Sequence, residues 1–353
     1  MDKRNSHPIH DSNPTATKKL KKQQNDEVGS FLQDYETFMN SREQERQKDK
    51  LEDEQQMIQF AGLPKTELIG LFFDEKLKYQ RPPYPVDPVF GSMSSHTTKP
   101  SHKKRDKFQK TIFGYCRECN EKVNGGLQAM KEHILSCPKL NTFKEGEACK
   151  DIVMRFKVYP EYGDMWNKYW LFIEVPFTSN LRELDDVIRN YWVECCGHLS
   201  KFDVDTLTYN SYESDNEFMD EIDNKTMDIP MYRVFKPSDV GKTFCYTYDF
   251  GSSTYLELEL ISIVKCNEEC EEARVLARNN PLTFKCCKCK NEAEYVQVEE
   301  SVLYCKKHAK DEDEDMLLPV VNSPRMGVCG YTNDMDTYAP PSEETKKKKT
   351  KHQ

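Results

Sequence analysis

Two Cys/His constellations constrain this chain more than anything else in it. In "YCREC", Cys116 and Cys119 stand two residues apart, a spacing at which one tight turn aims both thiolates at a single point. After 13 further residues, "HILSC" sets His133 and Cys137 one helical turn apart, so both side chains leave the same side of a helix. The second constellation is Cys286-x2-Cys289-x15-Cys305-x2-His308. Its two knuckles are joined by "AEYVQVEESVLY", whose alternation reads as a hairpin that brings them together. Each set supplies four S/N donors, and a tetrahedral Zn²⁺ takes four; no position is left for water or substrate. The expectation is two structural Zn²⁺ ions, bound by Cys116, Cys119, His133 and Cys137 and by Cys286, Cys289, Cys305 and His308. Cys287, with no partner two residues away, is left as a spare thiol.

Composition supports metal over disulfides. No run of 18 apolar residues occurs, and "MDKRNSHPIHDSNPTATKKLKKQQ" lacks an apolar signal region, so the expected setting is intracellular, nuclear in a eukaryote and cytoplasmic otherwise, with no membrane span. Fourteen cysteines in a reducing compartment are read for metal first. Hydrophobic residues are 37% and charged residues 31% of 353, a balance that leaves much of the chain outside any core.

The pattern divides the chain into unlike parts. Residues 1–110 read as a disordered arm, amphipathic helices and a linker. Val28, Phe31, Leu32, Tyr35, Phe38 and Met39 recur at helical spacing, a face for packing or for a protein partner; a charged helix follows over 42–56. "TELIGLFFDEKL" is a second amphipathic element with Thr66 as its cap. Residues 111–140 hold the first metal unit, 150–265 a body of alternating strands, 276–332 a zinc-ribbon-like unit, and 333–353 a Lys-rich tail. The fold class is α+β.

The first unit resembles a Cys-Cys-His-Cys finger of the ββα kind, with Val123 and Met130 at the packing positions. Positions −1, 3 and 6 of such a helix, which read bases in DNA-binding members, would be Gly126, Ala129 and Glu132. Only Glu132 can reach a base edge, so sequence-specific readout is weakly equipped. The basic run Lys99, Lys103, Lys104, Arg105, Lys107 and Lys110 can grip phosphate without reading sequence, or serve as a solvated linker. Charge is uneven: residues 1–150 carry 26 Lys+Arg and 22 Asp+Glu, whereas 151–353 carry 25 and 38. The acidic portion is ill suited to nucleic acid.

The body carries a second resemblance. A Trp-bearing strand with Trp170, a "NLRELDDVI" helix (Leu181, Leu184, Val187, Ile188), "HLSKF" (His198, Leu199, Phe202) and "YTYDFG" (Tyr246, Tyr248, Asp249, Phe250, Gly251) occur in that order. Over residues 153–265 the chain resembles the insertion-element passenger TnpR family, also called Ri-plasmid pRi ORF-three-like. The resemblance implies an α+β domain related to mobile elements and no established activity. "LARNNP" with the second metal unit and "LLPVVNSPRMGVCGY" looks like a C-terminal extension carried by some members.

Sharper chemical readings lose to plainer ones. "DFG" at 249–251 lacks the other kinase segments, and Gly251 reads as the residue that permits a bend between strands. His198 beside Cys195 and Cys196 has no third orienting group and reads as a packing position. Asp249, Glu257 and Glu259 would suit a metal-dependent nuclease, but "LELEL" also fits a solvated strand edge. No catalytic residue is assigned. The expectation is a non-enzymatic zinc protein that binds DNA or RNA through the basic run and finger, or alternatively an adaptor that binds protein through the acidic body and Val28–Met39.

Overall fold

The computed structural model describes residues 64–74, 112–161, 168–212 and 224–334, together with single positions between 33 and 63. The chain divides into two units, Met1–Leu63 and Pro64–Gln353. In the first, described positions from Gln33 to Gln55 are helical and exposed, in keeping with a charged helix over 42–56, and Thr37 Oγ1 donates to the Gln33 carbonyl at 2.7 Å. The apolar face from Val28 to Met39, the basic run from Lys99 to Lys110 and the tail beyond Asp334 lie outside the described residues.

The second unit is α+β and mostly strand. A short helix, Lys65–Phe73, precedes β1 (Phe113–Tyr115) and β2 (Lys122–Asn124), which pair as a hairpin ahead of a helix at Gly126–Ser136. Then come β3 (Asp151–Pro160), β4 (Leu171–Pro176), a helix at Leu181–Ile188 that ends in a π-helical turn at Arg189–Val193, β5 (Ser200–Val204), β6 (Leu207–Asn210), β7 (Asn224–Thr226), β8 (Thr243–Tyr248), β9 (Thr254–Cys266) and β10 (Arg274–Arg278). These eight strands form one sheet in the order β10-β4-β3-β9-β8-β5-β6-β7, antiparallel except between β6 and β7. β11 (Tyr295–Gln297), β12 (Val302–Tyr304) and β13 (Leu317–Pro319) make a separate sheet in the order β12-β11-β13.

Every residue of β4, and all but Tyr159 of β3, is buried, so both faces of the sheet are covered there. Alternation sends Phe156 of β3 to one face, where its ring meets Phe235 at 5.1 Å and Phe235 meets Phe244 at 5.0 Å. Arg155 and Lys157 take the opposite face, where Arg155 pairs with Glu174 and Lys157 with Glu259. Buried charges on a central sheet require compensation, and each has its counter-ion on a neighbouring strand.

Three local expectations change. Thr66 lies inside its helix, and Pro64 occupies the N-cap, where a fixed φ suits the helix entry. β9 lies between β3 and β8, so "LELEL" is interior strand rather than edge, and Glu259 is buried. The turn between β8 and β9 takes its left-handed residue at Asp249 (φ 63°) instead of at Gly251. The Asp249 Oδ1 accepts the Gly251 N–H at 2.9 Å and the Ser252 N–H at 3.1 Å, an Asx arrangement that offsets the cost of the positive φ.

Candidate metal centres

The first centre is made by a strand turn and a helix. After β1, Asn120 N–H returns to the Cys116 carbonyl at 2.8 Å with φ 60° at Asn120, which closes the knuckle under Cys116 and Cys119. The helix at Gly126–Ser136 presents His133, and Cys137 follows at its C-cap with its N–H on the His133 carbonyl at 2.7 Å. The four donor atoms all lie within 4.8 Å of one another. Cys116 and Cys137 Sγ are 4.0 Å apart, and Cys119 Sγ lies 3.3 Å from His133 Nε2. A tetrahedron with Zn–S bonds of about 2.3 Å has S···S edges of roughly 3.8 Å, so these separations fit one ion. His133 turns its other nitrogen toward Glu121 Oε2 at 3.7 Å, the kind of outer contact that fixes a ligand ring. Burial pushes the Cys116 thiol up to about 12, so in the absence of an ion this thiol stays protonated.

This finger is built into the sheet. Arg117 N–H donates to the Leu276 carbonyl at 2.9 Å, Asn280 N–H to Phe113 O at 2.7 Å, and Phe113 N–H to Asn280 Oδ1 at 2.8 Å, so β1 runs alongside β10. Met130 and Ile134, both fully buried, share a core with Trp170, Phe172 and Leu276. Lys131 pairs with Glu259 of β9. A Cβ on Gly114 would stand 2.4 Å from both the Arg278 carbonyl and the Trp170 ring, so only glycine permits this approach. The helix positions considered for base reading are a buried Gly126, a half-buried Ala129 and an exposed Glu132 that accepts a bond from Gln128 at 3.0 Å.

The second centre forms as its spacing implies. β11 and β12 pair antiparallel with Tyr295 opposite Tyr304, and the hairpin brings the two knuckles together. Cys289 and Cys305 Sγ are 3.7 Å apart, and His308 Nδ1 lies 3.3 Å from Cys286 Sγ and 3.5 Å from Cys305 Sγ. Burial would raise the Cys286 thiol, but the backbone N–H of Cys305 and the His308 ring outweigh it and bring the group down to about 6. Cys287 is exposed and outside this donor set, as its spacing suggested.

A third convergence was missed. Cys195, Cys196, His198 and Cys329 also bring one donor atom each within 4.8 Å of the others. His198 and Cys329 are 131 residues apart, so no local spacing announces the set. Its one visible sign is "CCGH", three ligand-type side chains within four residues. Among the described residues no helix is long and apolar enough to cross a membrane.

Comparison with known proteins bears on the body. No curated protein matches the chain. A crystal structure of a Methanosarcina mazei Go1 protein of unknown function is similar at 19% identity and a TM-score of 0.30, covering 35% of this chain and 67% of that one. The family model described as Plasmid pRiA4b ORF-3-like protein matches residues 157–316 and so runs past the resemblance at 153–265 and through the second Cys/His centre. The similarity to the plasmid pRiA4b ORF-3-like family therefore extends over residues 157–316, from the middle of β3 to the residue before β13.

Proposed function

We propose that the chain is a non-enzymatic binding protein assembled around structural Zn²⁺, related to mobile-element passenger proteins, whose acidic body engages a protein partner. The observation that carries this reading is the docked finger. Met130 and Ile134 complete the core over β4 and β10, and Lys131 is tied to Glu259, so the finger serves as a wall of the body. Four protein donors close each ligand set, which suits a structural ion. From 151 to 342 the chain carries 36 Asp+Glu against 20 Lys+Arg, a field that attracts basic protein surfaces and repels phosphate.

Nucleic acid is the second reading, carried by Lys99, Lys103, Lys104, Arg105, Lys107 and Lys110, which directly precede the finger in sequence. Retention of the full chain on immobilised DNA and RNA over a range of salt separates the two. The protein-binding reading expects no retention at physiological salt. Retention that falls steeply with salt and disappears when Lys103, Lys104, Arg105 and Lys107 are replaced by Ala would overturn it in favour of nucleic acid.

A further inference from the structure

We propose that Cys195, Cys196, His198 and Cys329 form a third Zn²⁺ site, which latches the segment following β13 onto the body and exchanges its ion more readily than the other two. The donor set is again three thiolates and one imidazole. Cys195 and Cys196 Sγ are 3.6 Å apart, and Cys196 and Cys329 Sγ 3.9 Å, both close to the edge of a zinc–thiolate tetrahedron of roughly 3.8 Å. His198 Nε2 lies 2.9 Å from Cys196 Sγ and 3.1 Å from Cys329 Sγ. Ion binding releases the thiol protons to solvent as the metal–sulfur bonds form.

The surrounding backbone is shaped for this convergence. Gly197 (φ 76°) lets the "CCGH" turn fold back, and the N–H groups of Cys195 and His198 both point at the Tyr248 hydroxyl, at 3.4 and 3.3 Å. Cys329 itself has φ 49°, an uncommon conformation for a residue with a side chain. The segment carrying Cys329 is fixed before it arrives: Ser323 Oγ donates to the Trp192 carbonyl at 2.5 Å, and Asn322 exchanges side-chain bonds with Asn279.

Charge balance also fits. Three thiolates around Zn²⁺ leave one net negative charge, and the buried Arg325 guanidinium lies 3.5 Å from Cys195 Sγ. Arg325 holds Asp249 at 2.7 Å, which keeps that carboxylate, 3.5 Å from His198 Nε2, engaged beside the donor set. Each of the other two centres has two buried cysteines, whereas Cys196 and Cys329 are both exposed here. Ready access for water and chelator is the basis for faster exchange.

Native mass spectrometry of the full chain, loaded with zinc sulfate under reductant, tests the site. Three ions per chain are expected, falling to two in Cys196→Ser and in Cys329→Ser and staying at three in Cys287→Ser. Cys305→Ser should also fall to two and yet keep Cys196 protected from iodoacetamide, which separates this site from the ribbon. Limited chelator should yield a two-ion species in which Cys196 and Cys329 are the thiols that become modified. Two ions in the wild-type chain with both these thiols freely alkylated, or a Cys196–Cys329 disulfide with only two ions bound, would overturn the proposal.

Discussion

Arg155, on the central strand β3, donates through Nη1 to Oδ1 of Asn141 at 2.8 Å, and this bond joins the sheet to the end of the finger helix. Asn141 Nδ2 reaches back to the carbonyls of Ile134, Leu135 and Cys137 at the end of the helix, where intrahelical donors run out. Arg155 also holds the Leu140 carbonyl and Glu174, and Glu174 in turn takes Arg274, whose other arm grips Glu118 of the finger knuckle. Asn141→Ala removes the helix cap and leaves a buried guanidinium donor without its acceptor. Denaturant unfolding should show a loss of about 2–3 kcal/mol, with the metal content unchanged.

Gly114→Ala addresses the packing of β1 against β10 sterically. The new methyl cannot coexist with the Arg278 carbonyl and Trp170 ring at 2.4 Å, so β1 must move away from β10. A cost of about 1–3 kcal/mol is expected, together with a change in near-ultraviolet dichroism from Trp170. The same substitution at Gly70, which has open space around it and no positive φ, should leave that signal unaltered.

Glu259 links the finger to two strands through Lys131 and Lys157, and these bonds hold its carboxyl below the usual value of 4.5 although burial acts the other way. A depressed carboxylate stabilises the fold fully above its unfolded value, and that contribution is lost as pH falls through the folded one. Glu259→Gln should therefore be less stable than the wild-type chain by about 2 kcal/mol at pH 7, since Lys157 is left buried without its counter-ion. The difference should shrink steadily below pH 4.5, as measured by urea unfolding at each pH.

The centres at Cys116 and Cys305 make independent predictions about metal content. Cys116→Ser and Cys305→Ser should each remove one equivalent by elemental analysis. Cys116→Ser should also loosen the sheet edge at β10, because the finger packs on it, whereas Cys305→Ser should leave that edge intact. A metal content unaffected by Cys305→Ser would contradict the ribbon centre.

Both metal sets expected from spacing converge because each knuckle is a local turn, and a hairpin or one helix suffices to join the pair. The β11–β12 hairpin and the helix at Leu181–Ile188 were legible for the same reason: their periodicity is local. The docking of the finger was not legible. It depends on Gly114, Lys131 and Arg155, which read singly as a small residue in a strand and two ordinary charges. The third donor set was hidden because Cys329 reaches "CCGH" only after the chain has built the whole sheet and returned. His198 was read as a packing residue for want of a third orienting group, whereas its Nε2 lies 3.1 Å from the Sγ of Cys329, 131 residues away. Asp249 took the left-handed turn position expected of glycine because its side chain supplies bonds that glycine cannot.

Hydrogen exchange at two amides tests the central claim, that the finger is a structural wall of the body. Arg117 N–H and Asn280 N–H each donate to a backbone carbonyl across the junction between the finger and the β10 segment. In the metal-loaded full chain both should exchange as slowly as the amides of β3 and β4, and both should become fast in Cys116→Ser. Fast exchange of Arg117 and Asn280 in the metal-loaded wild-type chain, with β3 and β4 still protected, would contradict the account.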